Sequence, residues 1–271
     1  MAWEEGISPE RRYMTTRHGA KLVLAANSLD VYATMRLNEN AWDYHDFQTC
    51  HDACPDGGVF YDIGANVGYF VIEMAQVTRE SVQICAFEPQ LPLATAINAS
   101  IRLNGFRGVR VFNCLVGDGD RSAEIYIAPA SIHASVVDNS GRGAIRKEPS
   151  TMITLDGLVG VPPPDVIKVD VEGAEHLVLR GANRVLRSNK PHMFLEYIPS
   201  MDPELRVRRE IEKLLADVPE YRLYGDPQIP LRSKYPYKHF LMHEDSDWQN
   251  VHAVFLRNVD RPLRDDSTFE P

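Results

Sequence analysis

Three short stretches of the chain place carboxylates where chemistry could be done. The first is Asp62-Ile-Gly64-Ala-Asn66-Val-Gly68, between an apolar run at 59–63 and a helical pattern at 69–78. Gly64 and Gly68 carry no side chain, so a ligand could approach the backbone closely. A turn of this kind also presents helix N-terminal amides. The spacing fits the dinucleotide pattern G-x-G-x-x-G poorly. Asp62 beside the loop would repel a pyrophosphate and suit a cationic amine. The second stretch is Phe87-Glu88-Pro89, which ends the next apolar run. An acidic residue there can accept hydrogen bonds from two ribose hydroxyls. The third is Lys168-Val-Asp170-Val-Glu172-Gly173-Ala-Glu175, which closes another apolar run and opens a helix. Strand alternation puts Lys168 and Asp170 on one face.

Each piece also has a purely structural reading. Asp62 alone could be a turn or N-cap carboxylate, and Glu172 and Glu175 could cap the helix and favour its dipole. The order strand, glycine loop, helix, strand and Glu88 argues for a ligand. Asp62 and Glu88 would flank a nucleoside that carries positive charge and no phosphate. S-adenosylmethionine has that character, with its ribose, ammonium and sulfonium. Methyl transfer from it is an in-line displacement that needs alignment and exclusion of water. A hydroxyl acceptor also needs a base. The candidates are Asp170, Glu172, His133 and Glu196. Asp170 ends a strand at the expected crevice. Histidine as a residue type ionises near pH ~6.5, but a loop histidine such as His133 is often simply solvated. Asp170, Glu172 and Glu196 could together hold Mg²⁺ through oxygen ligands; no other metal set is defined. His176 reads as structural.

The elements that must position these residues follow a clear rhythm. Apolar runs at 59–63, 82–87, 109–116, 165–169 and 192–196 alternate with helical stretches at 69–78, up to 103, and at 174–186. Alternation of this kind implies βαβ units, a parallel sheet and helices on both faces. Asn104-Gly105 stops one helix as a left-handed cap would. Segments 221–224 and 251–256 read as later strands at an antiparallel edge, and 203–216 as a helix. Residues 1–56 form an N-terminal extension, with a hairpin predicted over 21–37 about Asn27-Ser28 and a short helix and loop over 39–54. The catalytic domain is expected over 57–257, with an insertion at 117–148 that breaks the rhythm and a polar tail at 258–271. Strand 123–128 and a Ser-, Gly- and His-rich loop at 130–143 lie in that insertion. The extension and the insertion are placed to cover the crevice and choose the acceptor. Trp42, Tyr44, Tyr221, Tyr224, Tyr235 and Tyr237 are aromatic candidates for stacking on it, or for ordinary packing.

Composition excludes some classes. Lys and Arg number 29 against 38 Asp and Glu, a net charge of −9. Coating a phosphate backbone needs clustered cations. Arg206, Arg208 and Arg209 form only a local patch, so no nucleic-acid partner is expected. There is no apolar run of ~18 residues, so no membrane span is expected. The N-terminus shows no basic start followed by an apolar stretch, so no secretory signal is read. The cysteines are Cys50, Cys54, Cys85 and Cys114, too few for a disulfide scaffold in 271 residues. Cys85 and Cys114 read as reduced and buried. Cys50-x₃-Cys54 has ligand-like helical spacing, but no partner pair follows. A cytoplasmic location fits these features. The oligomeric state is left open, a homodimer included.

Taken together, the motifs resemble the FkbM-type methyltransferases. The resemblance covers roughly 57–197 and rests on Val59-Phe-Tyr-Asp-Ile-Gly-Ala-Asn-Val-Gly-Tyr-Phe70, Phe87-Glu-Pro89, Leu103-Asn-Gly105, Thr154-Leu-Asp156, Ile167-Lys-Val-Asp-Val-Glu-Gly-Ala-Glu175 and Leu195-Glu196. It implies an α/β class I methyltransferase (Rossmann-like) fold: a doubly wound, mostly parallel seven-stranded sheet with an antiparallel edge strand. It also implies S-adenosylmethionine as methyl donor and O-methylation of a small molecule, such as a sugar or secondary metabolite. Carried over by position, Asp62, Gly64, Asn66 and Gly68 would face the methionine part of the donor. Glu88, with Pro89, would hold the ribose, and Asn113 to Leu115 would border the adenine. His133 is not expected in the Ser/Gly-rich loop that the family has at 131–135. The alternatives are a methyltransferase acting on nitrogen or on a macromolecule, and a non-catalytic adenosyl-binding module. An NAD-dependent oxidoreductase is disfavoured by the loop spacing.

Overall fold

The computed structural model describes residues 12–25, 28, 31–127, 146–196, 208–209 and 213, and the backbone of 29–30, 221–225 and 253–258. The chain opens with a hairpin, β1 (Tyr13–Thr15) and β2 (Lys21–Val23), followed by helices α1 (Leu29–Leu37) and α2 (Tyr44–Ala53). The core then alternates β3 (Val59–Ile63), α3 (Tyr69–Val77), β4 (Gln83–Phe87), α4 (Leu91–Asn104) and β5 (Val109–Phe112). Three strands of an excursion come next: β6 (Leu115–Val116), β7 (Arg121–Ile127) and β8 (Arg146–Ile153). The chain returns through β9 (Val166–Val169), α5 (Glu175–Gly181), α6 (Asn183–Asn189) and β10 (His192–Glu196) to β11 (Tyr221–Gly225) and β12 (Ala253–Asn258).

The main sheet has the order β11-β12-β10-β9-β3-β4-β5. Neighbours from β10 to β5 are all parallel. Both faces of these strands are covered, so they read as near-continuous apolar runs. Alternation then splits them between two cores. Phe60, Ile84, Ala86, Val166 and Phe194 join α3, α4 and the N-terminal segment. Tyr61, Ile63, Cys85, Phe87, Ile167, Val169, Met193 and Leu195 join α5 and α6. From β3 the chain steps outward one way through β4 and β5, and from β9 the other way through β10. The reversal lies between β3 and β9. In open α/β sheets the ligand crevice sits at such a switch, beyond the carboxyl ends of the strands.

Several expectations need correction. The hairpin lies at 13–23, not about Asn27-Ser28, and the run 29–37 is α1. Its buried residues Val31, Tyr32 and Met35 have helical spacing and fill one face. The Tyr32 hydroxyl donates to Val23 O at 3.1 Å and accepts from Ala25 N at 2.9 Å, which closes the hairpin's exit. The run 109–116 is two strands, because Leu115 pairs with Met152 in the separate sheet β6-β8-β7. The polar stretch 146–153 is the strand β8. The single helix expected over 174–186 is broken at Ala182 into α5 and α6. The reversed strand of the main sheet is β12, and the outermost strand β11 pairs antiparallel to it. The loop at 130–143 and most of the helix at 203–216 lie outside the described residues.

The N-terminal segment is wedged into the core. Leu22 and Met35 are completely buried, and each such side chain stabilises by roughly 1.5–3 kcal/mol. Asn104 ties β2 to α4: its Nδ2 donates to Lys21 O at 2.6 Å and its Oδ1 accepts from Lys21 N at 2.8 Å. Helix α2 packs on β9 and β10. All four cysteines are buried thiols outside any disulfide, Cys50 and Cys54 on or just after α2. Among the described residues, no helix is long and apolar enough to cross a membrane.

Candidate functional site

Strands β4, β3 and β9 lie side by side, with Glu88 just beyond β4, Asp62 one residue before the end of β3 and Asp170 just beyond β9. Asp62 is opposite Lys168 in the parallel register. The Lys168 ammonium lies 3.3 Å from Asp62 Oδ1 and 3.1 Å from Asp170 Oδ2, and 4.9 Å above the Phe70 ring. Asp62 is 1% exposed and Lys168 6%. Burial raises the Asp62 carboxyl above its ordinary value, with Lys168 opposing. Burial works to lower the Lys168 ammonium, but Asp170 and then Asp62 hold it well above the ordinary lysine range. Asp62 Oδ2 is buried and has no hydrogen-bond donor among the described residues. Such a group is costly to leave unpaired.

The glycine loop closes onto its neighbours. Gly64 and Ala65 donate to Phe87 O at 2.9 and 3.1 Å. Gly64 has φ +81, and a Cβ there would sit 1.8 Å from the carbonyl oxygen of Asp170. Gly68 has φ +84, and its Cβ would be 2.7 Å from Ile97 Cγ1. The protein's own packing therefore already demands both glycines, a reason the sequence did not show. Asn66 takes a left-handed conformation at φ 51, and its buried Oδ1 has no hydrogen-bond partner among the described residues.

Glu88 is 3% exposed. It accepts from Asn66 N at 2.8 Å through Oε2 and from Gln90 N at 2.8 Å through Oε1. Each oxygen keeps a second lone pair. Burial pushes the Glu88 carboxyl up to about 8 against those two donors. Asn113 Nδ2 donates to Glu88 O and Pro89 O, both at 2.9 Å, so it fixes the backbone that carries Glu88. Leu115, expected to border the adenine, is buried on β6, and its side chain packs with Ile125, Ile127 and Met152 in the small sheet's core.

The second turn gathers the outer carboxylates. One oxygen each from Asp170, Glu172 and Glu196 lie within 4.8 Å of one another, all partly exposed. Glu172 holds the left-handed conformation at φ 55, followed by Gly173 at φ 93. Glu175 is buried and accepts from Gly173 N at 3.0 Å, which ties the first residue of α5 back to the turn, and burial raises it to about 7. His176 is buried on α5. His133, Tyr235 and Tyr237 lie outside the described residues, and only the backbone of Tyr221 and Tyr224 is described. Trp42 and Tyr44 pack at the edge of the N-terminal core, Tyr44 under the Arg17 guanidinium at 4.2 Å. Lys168 is the site residue to which the motifs assign no role; its place in the strand that Asp170 ends was the available signal.

The sequence model of the Methyltransferase FkbM domain matches residues 62–223. The chain belongs to the FkbM methyltransferase family. It is 27% identical over 155 residues to "Methyltransferase 1" of Beauveria bassiana, across 49% of this chain and 62% of that protein. Among solved structures, the FkbM methyltransferase of Methylobacillus flagellatus KT is 14% identical with a TM-score of 0.49, over 87% of this chain and 56% of that one. A SAM-dependent O-methyltransferase of Thermotoga maritima is 12% identical with a TM-score of 0.45, over 85% of this chain and 72% of that one. The chain thus spans less than two thirds of its curated relative and of the M. flagellatus protein.

Proposed function

We propose that this FkbM-family protein moves the methyl group of S-adenosylmethionine to a hydroxyl of a small molecule, a sugar or secondary metabolite. The observation that carries the reading is the convergence of Asp62, Glu88 and Asp170 on adjacent strand ends at the switch point. The residues fit the donor. Asp62 Oδ2, buried and lacking a donor, suits its ammonium. The free lone pairs of Glu88 suit the ribose hydroxyls, beside Pro89. The backbone from Gly64 through Asn66 to Gly68 suits the methionine part, and Asn113 borders the adenine side. Asp170 is the base: it takes the acceptor's proton as the acceptor oxygen bonds the methyl carbon, and the broken bond's electron pair stays on sulfur. Glu172 and Glu196 stand beside it, and His133 on the insertion is a further candidate base.

Titration calorimetry with S-adenosylmethionine, S-adenosylhomocysteine and NAD tests the donor. The adenosyl ligands bind; tight NAD binding without them sinks the reading. Radiolabelled methyl transfer into fractionated small-molecule extract tests the acceptor. Label found only in protein or nucleic acid, or in an amine, replaces the hydroxyl acceptor, and binding without any transfer makes the protein a non-catalytic module. The clustered oxygens of Asp170, Glu172 and Glu196 also favour a second reading, a Mg²⁺ site. Activity lost to EDTA and restored by Mg²⁺ supports that site, and activity indifferent to EDTA leaves Asp170 acting alone.

A further inference from the structure

Lys168 is a cation buried at the strand ends that the reaction as described does not use. Its ammonium is the link between two carboxylates on different strands: Asp62 on β3 at 3.3 Å and Asp170 beyond β9 at 3.1 Å. Phe70 of α3 lies beneath it at 4.9 Å. A buried ion trio of this kind is held by mutual compensation, and no member is electrostatically silent. The donor's charge is the quantity it acts on. S-adenosylmethionine carries a sulfonium, and the product sulfur is neutral. Methyl transfer breaks the carbon–sulfur bond, forms the carbon–oxygen bond and leaves the electron pair on sulfur, so positive charge leaves the sulfur along the path. Two bare carboxylates would stabilise the sulfonium before reaction more than at the transition state. Only interactions that favour the transition state accelerate the step.

We propose that Lys168 is an electrostatic positioning residue: it touches neither donor nor acceptor, offsets Asp62 and Asp170 so that the site does not over-stabilise the sulfonium, and holds the Asp170 carboxylate at the strand end. This rests on the donor reading above. It predicts a property that a merely structural lysine would not have. The site's preference for S-adenosylmethionine over S-adenosylhomocysteine is set by the charge at position 168.

The test is calorimetry of both ligands, at one pH, with wild type, Lys168→Arg and Lys168→Met. Lys168→Arg keeps the charge and the wild-type ratio of affinities. Lys168→Met raises the preference for the cationic ligand by about tenfold or more, the scale of one unit charge within ~12 Å at an effective dielectric of ~20. If Lys168→Met does not fold, Asp170→Asn gives the mirror result, lowering that preference severalfold because the ammonium is then less opposed. A wild-type ratio in Lys168→Met, or in Asp170→Asn where that variant stands in, overturns the inference while leaving the donor reading intact. Wild type that binds neither ligand overturns both.

Discussion

After β3 the chain turns through Gly64, Asn66 and Gly68 into α3, and after β9 it turns through Glu172 and Gly173 into α5. Both turns use left-handed backbone, at φ 81, 51 and 84 in the first and 55 and 93 in the second. The first is closed inward. Its glycines are packed on Asp170 and Ile97, its amide at Asn66 is taken by Glu88, and α3 is buried along most of its length. The second is open. Asp170, Glu172 and Glu196 are partly exposed, while the buried Glu175 accepts from Gly173 N. One strand–turn–helix plan thus yields a closed loop held by backbone contacts after β3 and a partly exposed set of carboxylates after β9. The closed turn depends on backbone geometry, and the open turn on the ion pair of Asp170 with Lys168.

The sharpest way to break this comparison is Gly64→Ala. A Cβ there meets backbone that cannot move aside and takes a strained φ, so unfolding free energy falls by about 3 kcal/mol or more in urea melts. An unchanged midpoint would show that the loop is not closed. Asp170→Asn is the counterpart on the open turn. Methyl transfer drops by ~10²-fold or more, as for loss of a positioned base, while the melting shift stays smaller than that of Gly64→Ala. Equal losses of stability would erase the distinction.

The pH dependence sharpens it further. Glu88 at about 8 and Glu175 at about 7 both stand above their unfolded values. The native state therefore binds more protons than the unfolded one. The stability these groups confer is full below the ordinary carboxylate range and is lost as pH rises through about 7 and then about 8. Urea midpoints should fall from about pH 5 to about pH 9, with roughly 1.4 kcal/mol lost for each tenfold difference in proton affinity between the folded and unfolded carboxyl. Glu88→Gln should flatten the upper part of that fall, and a slope unchanged by it would put the titration elsewhere. The smallest effect belongs to Glu175→Gln, which keeps an acceptor for Gly173 N and costs about 1 kcal/mol or less in urea melts, with donor affinity retained in calorimetry.

Much of this is legible in the chain before it folds. The alternation of apolar runs and helical stretches marks the five parallel strands, because strands buried on both faces need unbroken apolar residues. Contiguous motifs mark Asp62, Glu88 and Asp170, because a strand end, a turn and a helix start are local in the chain. What is not legible has a common cause. The run 29–37 reads as a strand from its Val, Tyr and Thr, yet its burial follows a helical face supplied by distant partners. Polar β8 exists only because β7 and β6 pair with it. Leu115 is close to Asn113 in the chain, but it pairs into another sheet.

The sequence by itself determined the family, the parallel core and which carboxylates end which strands, since these depend on composition and spacing along the chain. Only the tertiary structure decided how those carboxylates are used. It set Lys168 between Asp62 and Asp170, filled the space beside Gly64 with a carbonyl, and gave Glu88 two backbone donors. Burial and partner distances belong to the packed sheet, where residues over a hundred positions apart become neighbours, and they govern charge, strain and reactivity.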